Sequence, residues 1–127
     1  MRIEHAAMYV DDLDAARDFF VKYFHAVPGA PYHNRKTDFR SCFLGFDGGA
    51  RLELMTRPAL APGGEPPVRT GYSHIAFSLG GRAAVDALTE TLRRDGYQVV
   101  SGPRITGDGY YESCILGPAG SRIELTE

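Results

Sequence analysis

Two histidines and two glutamates recur in this chain in the same order and at nearly the same interval. Glu53 lies 48 positions after His5, and Glu124 lies 50 positions after His74. Each histidine opens an apolar stretch, His5-Ala6-Ala7-Met8-Tyr9-Val10 and His74-Ile75-Ala76-Phe77-Ser78-Leu79. Each glutamate sits in an R-x-E-L segment that follows an S-C-x-L-G segment. These are Ser41–Gly45 before Arg51-Leu52-Glu53-Leu54, and Ser113–Gly117 before Arg122-Ile123-Glu124-Leu125. Two imidazoles and two carboxylates suit a hard-to-borderline divalent metal, Ni, Co, Mn, Fe or Zn, in a mostly octahedral site. Four protein ligands leave two positions for water or substrate. Such a metal can polarise a carbonyl and stabilise an enediolate while one carboxylate moves a proton. His25 and His33 have no counterpart at matched spacing and read as surface residues.

The elements that must position these groups follow from periodicity. Residues 1–10 read as a strand, with Ile3, His5, Ala7 and Tyr9 on one side. Asp11-Asp12 offers a helix cap. Leu13, Ala16, Phe20 and Phe24 then fall at helical spacing, with Phe19 and Tyr23 widening the stripe and an end near His25. Residues 30–34 form a weak strand and 38–46 a stronger one. Asp47-Gly48-Gly49 signals a hairpin to a strand over 50–56. The second half repeats the order. It has a strand over 72–79 and a helix over 82–95 with Val85, Leu88 and Leu92 inward and Gly96 as its stop. A strand over 97–101 leads to a loop carrying Gly102-Pro103 and Gly107-Asp108-Gly109. A hairpin of strands 110–116 and 121–126 closes the chain. The fold class is α+β, with β-α-β-β-β built twice.

Side-chain alternation then divides each sheet into two faces. Leu52 and Leu54, Ile123 and Leu125, and Ile75, Phe77 and Leu79 supply the apolar face a helix needs. His5, Glu53, His74 and Glu124 all fall on the opposite face, which is expected to be concave and polar-lined. Arg51 and Arg122 share it.

The bulk numbers bound what surrounds this site. The 127 residues suffice for one compact domain, organised as a module over about 1–56, a Pro- and Gly-rich linker over about 57–71, and a second module over about 72–127. Hydrophobic residues make up 43%, charged residues 24%, and the net charge is −2, with no basic run to suggest nucleic acid. There is no apolar run of membrane-spanning length. No secretory signal is read at the N-terminus, so a cytoplasmic location is expected. Cys42 and Cys114 hold equivalent places in the repeat and read as buried thiols in strands.

These residues carry a resemblance. The paired β-α-β-β-β modules, the strand with His5, Gly71-Tyr72-Ser73-His74-Ile75-Ala76-Phe77 and the closing Gly117-Pro118-Ala119-Gly120-Ser121-Arg122-Ile123-Glu124-Leu125 resemble the vicinal oxygen chelate superfamily over essentially the whole chain. Gly117 stands where the family motif usually has Asp. The resemblance implies curved mixed sheets forming a half-open barrel. It also implies a homodimer whose two metal sites each combine His5 and Glu53 of one chain with His74 and Glu124 of the other. The set His5, Glu53, His74, Glu124 is similar to the His, Glu, His, Glu ligands of bacterial glyoxalase I. That enzyme isomerises the hemithioacetal of methylglyoxal and glutathione through a metal-bound enediolate. Tyr9 and Arg57 stand where glyoxalase I usually carries an Arg and an Asn for the glutathione carboxylates. They are candidate substrate-binding residues, as are Tyr110 and Tyr111, one of which is expected to face the cavity. The superfamily also implies two alternatives: a thiol transferase or epimerase acting on another small anion, and a non-enzymatic drug-binding protein of the bleomycin-resistance type.

Overall fold

The computed structural model describes residues 3–61, 72–107 and 109–127. The chain divides into two compact units, Met1–Gly63 and Gly64–Glu127. In the first, the order is β1 (His5–Tyr9), α1 (Leu13–Phe24), β2 (Val27–Pro28), β3 (Tyr32–Asn34), β4 (Phe39–Gly45) and β5 (Arg51–Thr56). In the second it is β6 (Ile75–Ser78), α2 (Arg82–Arg94), β7 (Val99–Ile105), β8 (Tyr111–Leu116), a short 3-10 turn (Pro118–Gly120) and β9 (Arg122–Thr126). The α+β class and the duplicated module are as the patterning predicts. Residues 62–71 of the expected linker lie outside the described residues. No helix among the described residues is long and apolar enough to cross a membrane.

Each unit builds one mixed sheet in the same way. The first has the order β1-β5-β4-β2, with β3 also on β4; the second has the order β6-β9-β8-β7. In both, the strand before the helix runs parallel to the last strand, which closes an antiparallel hairpin with its predecessor. The helices cross to one face of their own sheet, as a parallel connection requires. Helix α1 starts where Asp12 accepts a hydrogen bond from the Ala15 amide at 2.9 Å. It ends at His25, which takes a left-handed conformation with φ of 53°. Its buried side is Ala16, Phe19, Phe20, Tyr23 and Phe24, packed over β4 and β5. Leu44, Leu52 and Leu54 meet it from the sheet; burying a side chain of this size stabilises by about 1.5–3 kcal/mol.

Helix α2 packs on β7, β8 and β9 through Val85, Thr89 and Leu92. The sequence pattern favours Leu88 at this seam, yet Leu88 is only half-buried and Thr89 is fully buried. The reason is a partner. Thr89 Oγ1 donates to the Val85 carbonyl at 2.6 Å and stands 2.5 Å from Ser113 Oγ on β8. A hydroxyl has one proton to give, so Ser113 is the donor to Thr89. Past the helix, Gly96 at φ of 91° closes the C-terminus, with the Tyr97 amide donating to the Leu92 carbonyl at 2.9 Å.

Three expectations change. The two-residue β2, too short for any alternation to register, pairs with β4. The strand expected to stop at residue 101 runs on to Ile105, through Gly102-Pro103 and two shifts of register against β8. The two cysteines are not equivalent in space. Cys42 pairs with Leu54 while Phe43 pairs with Glu53, but Cys114 itself pairs with Glu124. Ten residues separate Cys42 from Glu53 and nine separate Cys114 from Glu124. One extra residue moves the pairing by one, and a one-residue slip moves a side chain to the other face. Both thiols are buried, Cys42 on the helix side and Cys114 on the glutamate side.

Candidate metal centre

Within each unit the structure brings one histidine to one glutamate. In the first, β1 and β5 run parallel with Ala7 opposite Glu53, so the glutamate registers with the residue two past His5. In the second, Ala76 lies opposite Glu124, two past His74. His74 lies just ahead of the first residue of β6. The resulting separations are 3.9 Å from His5 Nε2 to Glu53 Oε2 and 3.1 Å from His74 Nε2 to Glu124 Oε2. The histidine side chains are 40% and 39% exposed and the glutamates 16% and 21%, so each pair is half sunk into its sheet with the imidazole on the open side. Leu52 and Leu54, like Ile123 and Leu125, point the other way and are buried. Within neither unit do three or more His, Cys, Asp or Glu side chains gather at one metal position among the described residues.

The surroundings of the two pairs differ. In the first unit His5 Nδ1 is 2.5 Å from Glu4 Oε2, and the other Glu4 oxygen accepts from Arg51 Nε at 2.9 Å and from its Nη2. These hydrogen bonds, His5 first and then Arg51, hold the Glu4 carboxyl below the usual carboxylate range. The Arg51 guanidinium lies 4.1 Å above the Phe43 ring, and His5 meets that ring edge-on at 5.3 Å. In the second unit the cross-strand neighbour of Glu124 is Cys114 instead of an aromatic ring. Glu112, two residues before Cys114, holds Arg104 Nη2 at 3.4 Å. Arg104 reaches this face because of the shifted register of β7: Ser101 pairs with Cys114 and Arg104 with Glu112, which absorbs one extra residue at Gly102-Pro103. Gly102 has φ of 82°, and a Cβ there would stand 2.5 Å from the Glu112 carbonyl oxygen. Only glycine fits.

The substrate-binding candidates divide. Tyr9 is on the His5 face of β1 and 44% exposed. Arg57 is exposed one residue past the end of β5. Tyr110 is exposed ahead of β8. Tyr111 is turned away: its hydroxyl donates to Asp86 on α2 at 2.6 Å, and Arg82 of α2 lies over its ring. The reason is parity, since Tyr111 pairs with Ile105 and alternates with Glu112. That hydrogen bond to an acid also raises the Tyr111 phenol above its ordinary value. Glu4 and Arg104 belong to the glutamate faces without having been singled out by the sequence pattern, and Cys114, read there only as a buried thiol, joins them. The even spacing of Glu112, Cys114 and Glu124 along their strands is the signal that finds Cys114, whereas Arg104 depends on a bulge that no alternation shows.

Elsewhere in the first unit a cleft of about 580 Å³ opens at the start of α1, lined in part by Asp12, Asp14, His33 and Arg40. Each of these four side chains is engaged with a group beside the cleft. Asp12 caps the helix, Asp14 holds Arg17, and both His33 and Arg40 bind Asp38. His33 is thus a structural surface residue, and His25 is exposed at the helix end.

A β-α-β-β-β unit built twice, with the short β3 added in the first copy and one histidine and one glutamate on the sheet face away from each helix, defines the class. The chain belongs to the Glyoxalase/Bleomycin resistance protein/Dioxygenase superfamily, whose model matches residues 2–125. It is 28% identical to an uncharacterized protein of Bacillus subtilis, YqjT, over 97% of this chain and 96% of that one. It is similar to the structure of a possible glyoxalase from Bacillus cereus, at 25% identity and a TM-score of 0.72, covering 100% of this chain and 99% of the other. The fold is also that of the trypanothione-dependent glyoxalase I of Leishmania major, at 20% identity and a TM-score of 0.79, covering 100% and 86%.

Proposed function

We propose that the chain is a divalent-metal-dependent enzyme of glyoxalase I type, in which His5, Glu53, His74 and Glu124 together hold one metal. The observation that carries this reading is the repeated pair: an imidazole Nε2 turned toward a carboxylate oxygen, made by the same strand register in both units. Proteins of this superfamily typically use a divalent metal, and the donor set suits Ni, Zn, Co, Mn or Fe. When bound, such an ion supplies Lewis acidity toward a carbonyl oxygen. The chain's own groups do the rest. Glu124 or Glu53 would take a proton from the carbon next to that carbonyl and return it to the carbonyl carbon, while the hydroxyl proton passes to the former carbonyl oxygen, the isomerisation of a hemithioacetal. Tyr9, Arg57 and Tyr110 would contact the organic part, and Arg104 adds a cation for an acidic substituent. A homodimer would let the pair of one chain meet the complementary pair of another. A substrate other than the glutathione adduct is favoured by one observation. The expected Arg and Asn for glutathione are replaced by Tyr9 and Arg57, while Arg104 supplies a cation from the second unit.

Elemental analysis of the purified protein, followed by a screen of thiol–aldehyde adducts, tests the reading. The expected result is about one divalent metal per chain, lost in His74→Ala and Glu124→Ala, with isomerase activity following the metal. Protein that takes up no divalent ion ends it.

A further inference from the structure

Glu4 sits one residue before His5, and among the described residues it is the carboxylate in contact with the imidazole nitrogen that faces away from Glu53. Its Oε2 is 2.5 Å from Nδ1, while Nε2 is turned toward Glu53. A carboxylate accepts and does not donate, so Nδ1 carries a proton, and in the neutral ring Nε2 then presents its lone pair. Glu4 is itself fixed. Arg51 donates to its second oxygen, Arg51 lies on the Phe43 ring, and that ring also takes the edge of His5. Three side chains, Glu4, Arg51 and Phe43, thus brace one imidazole from outside the pair. The second unit has no such carboxylate before its histidine, because the residue there is Ser73.

We infer that Glu4 is a positioning residue for the metal ligand His5, fixing its Nδ1–H tautomer and ring orientation so that Nε2 is ready to bind. The inference rests on the metal reading of His5. It makes the two histidines unequal: His5 is held ready before any ion arrives, whereas Ser73 gives His74 no carboxylate at the equivalent place. An outer carboxylate on a ligating histidine typically contributes 10–100-fold in metal affinity, through ring orientation and ligand basicity.

Two measurements test it on the intact chain. In metal-free protein at a pH well above the ordinary imidazole range near 6.5, the ¹⁵N shifts of the His5 ring report which nitrogen is protonated. The expected spectrum is Nδ1–H in the unaltered protein and a mixture with the Nε2–H form in Glu4→Ala. Glu4→Gln, whose amide oxygen still accepts, restores the Nδ1–H form. Calorimetric titration with Ni²⁺ should then show affinity about 10–100-fold weaker in Glu4→Ala and largely recovered in Glu4→Gln. A purely structural role for the Glu4–Arg51 pair would change the melting temperature and leave the ring spectrum alone. An unchanged His5 spectrum with equal Ni²⁺ affinity in all three proteins overturns the role of Glu4 and leaves the metal reading standing. Unaltered protein that shows the Nδ1–H form but binds no Ni²⁺ overturns the metal reading and the role of Glu4 with it.

Discussion

Replacing Gly102 by alanine should be among the most damaging single-methyl additions in the second unit. Two terms act at once. The backbone there has φ of 82°, and an L-residue in that left-handed region costs about 1–2 kcal/mol. The added Cβ would also stand 2.5 Å from the Glu112 carbonyl oxygen and 2.8 Å from Ser113 Cα. Both are backbone atoms of a strand paired on both sides, so neither can swing aside. Overpacking of this kind costs about 1–3 kcal/mol, which brings the total to about 2–5 kcal/mol. Gly49→Ala is the control. It has φ of 94° but nothing within 4 Å of the added carbon, so it carries the backbone term alone, about 1–2 kcal/mol. Urea unfolding followed by circular dichroism measures both. With a slope of about 2 kcal/mol per molar urea, the middle of the usual range, Gly102→Ala should lower the midpoint by about 0.5–1.5 M more than Gly49→Ala does. Equal shifts for the two would refute the steric argument. Because the same bulge turns Arg104 toward Glu112, Gly102→Ala should also impair binding of an anionic substrate even where the fold survives.

Two further outcomes follow from the packing and the charges. Thr89→Val leaves the Ser113 hydroxyl without its acceptor, and a buried unsatisfied donor costs about 1–3 kcal/mol. Ser113→Ala should be milder, and the double variant should be less destabilised than the sum of the two, as a thermal-melt mutant cycle would show. Asp38 accepts from His33 and then Arg40, which holds its carboxyl below the ordinary value of 3.8. A carboxyl depressed in the folded state stabilises above the unfolded value, and that contribution is lost as pH falls through the lower folded value. The melting temperature of Asp38→Asn should therefore lie below that of the unaltered protein at neutral pH and meet it in strong acid. Parallel curves would refute the assignment.

The sequence alone determined a good deal, and for a local reason. Alternation and helical spacing are properties of neighbouring residues, so the two helices, the hairpins and the faces of His5, Glu53, His74 and Glu124 could be read without tertiary information. Leu52, Leu54, Ile123 and Leu125 flank the glutamates and settle which way each one points. What the spacing could not supply is register. The match between Cys42 and Cys114 is a match of letters, and one extra residue in the first hairpin sends their side chains to opposite faces. The places of Arg104 and Tyr111 are likewise matters of strand pairing. A bulge at Gly102 brings the arginine to the glutamate face, and strand parity gives the tyrosine to Asp86. Thr89 took a core position over Leu88 because Ser113, 24 residues away, supplied a hydrogen bond. The Glu4–Arg51–Phe43–His5 arrangement joins β1, β4 and β5, strands far apart in the chain. Pattern in the sequence singled out the two His–Glu pairs, and long-range pairing between strands decided what stands beside them.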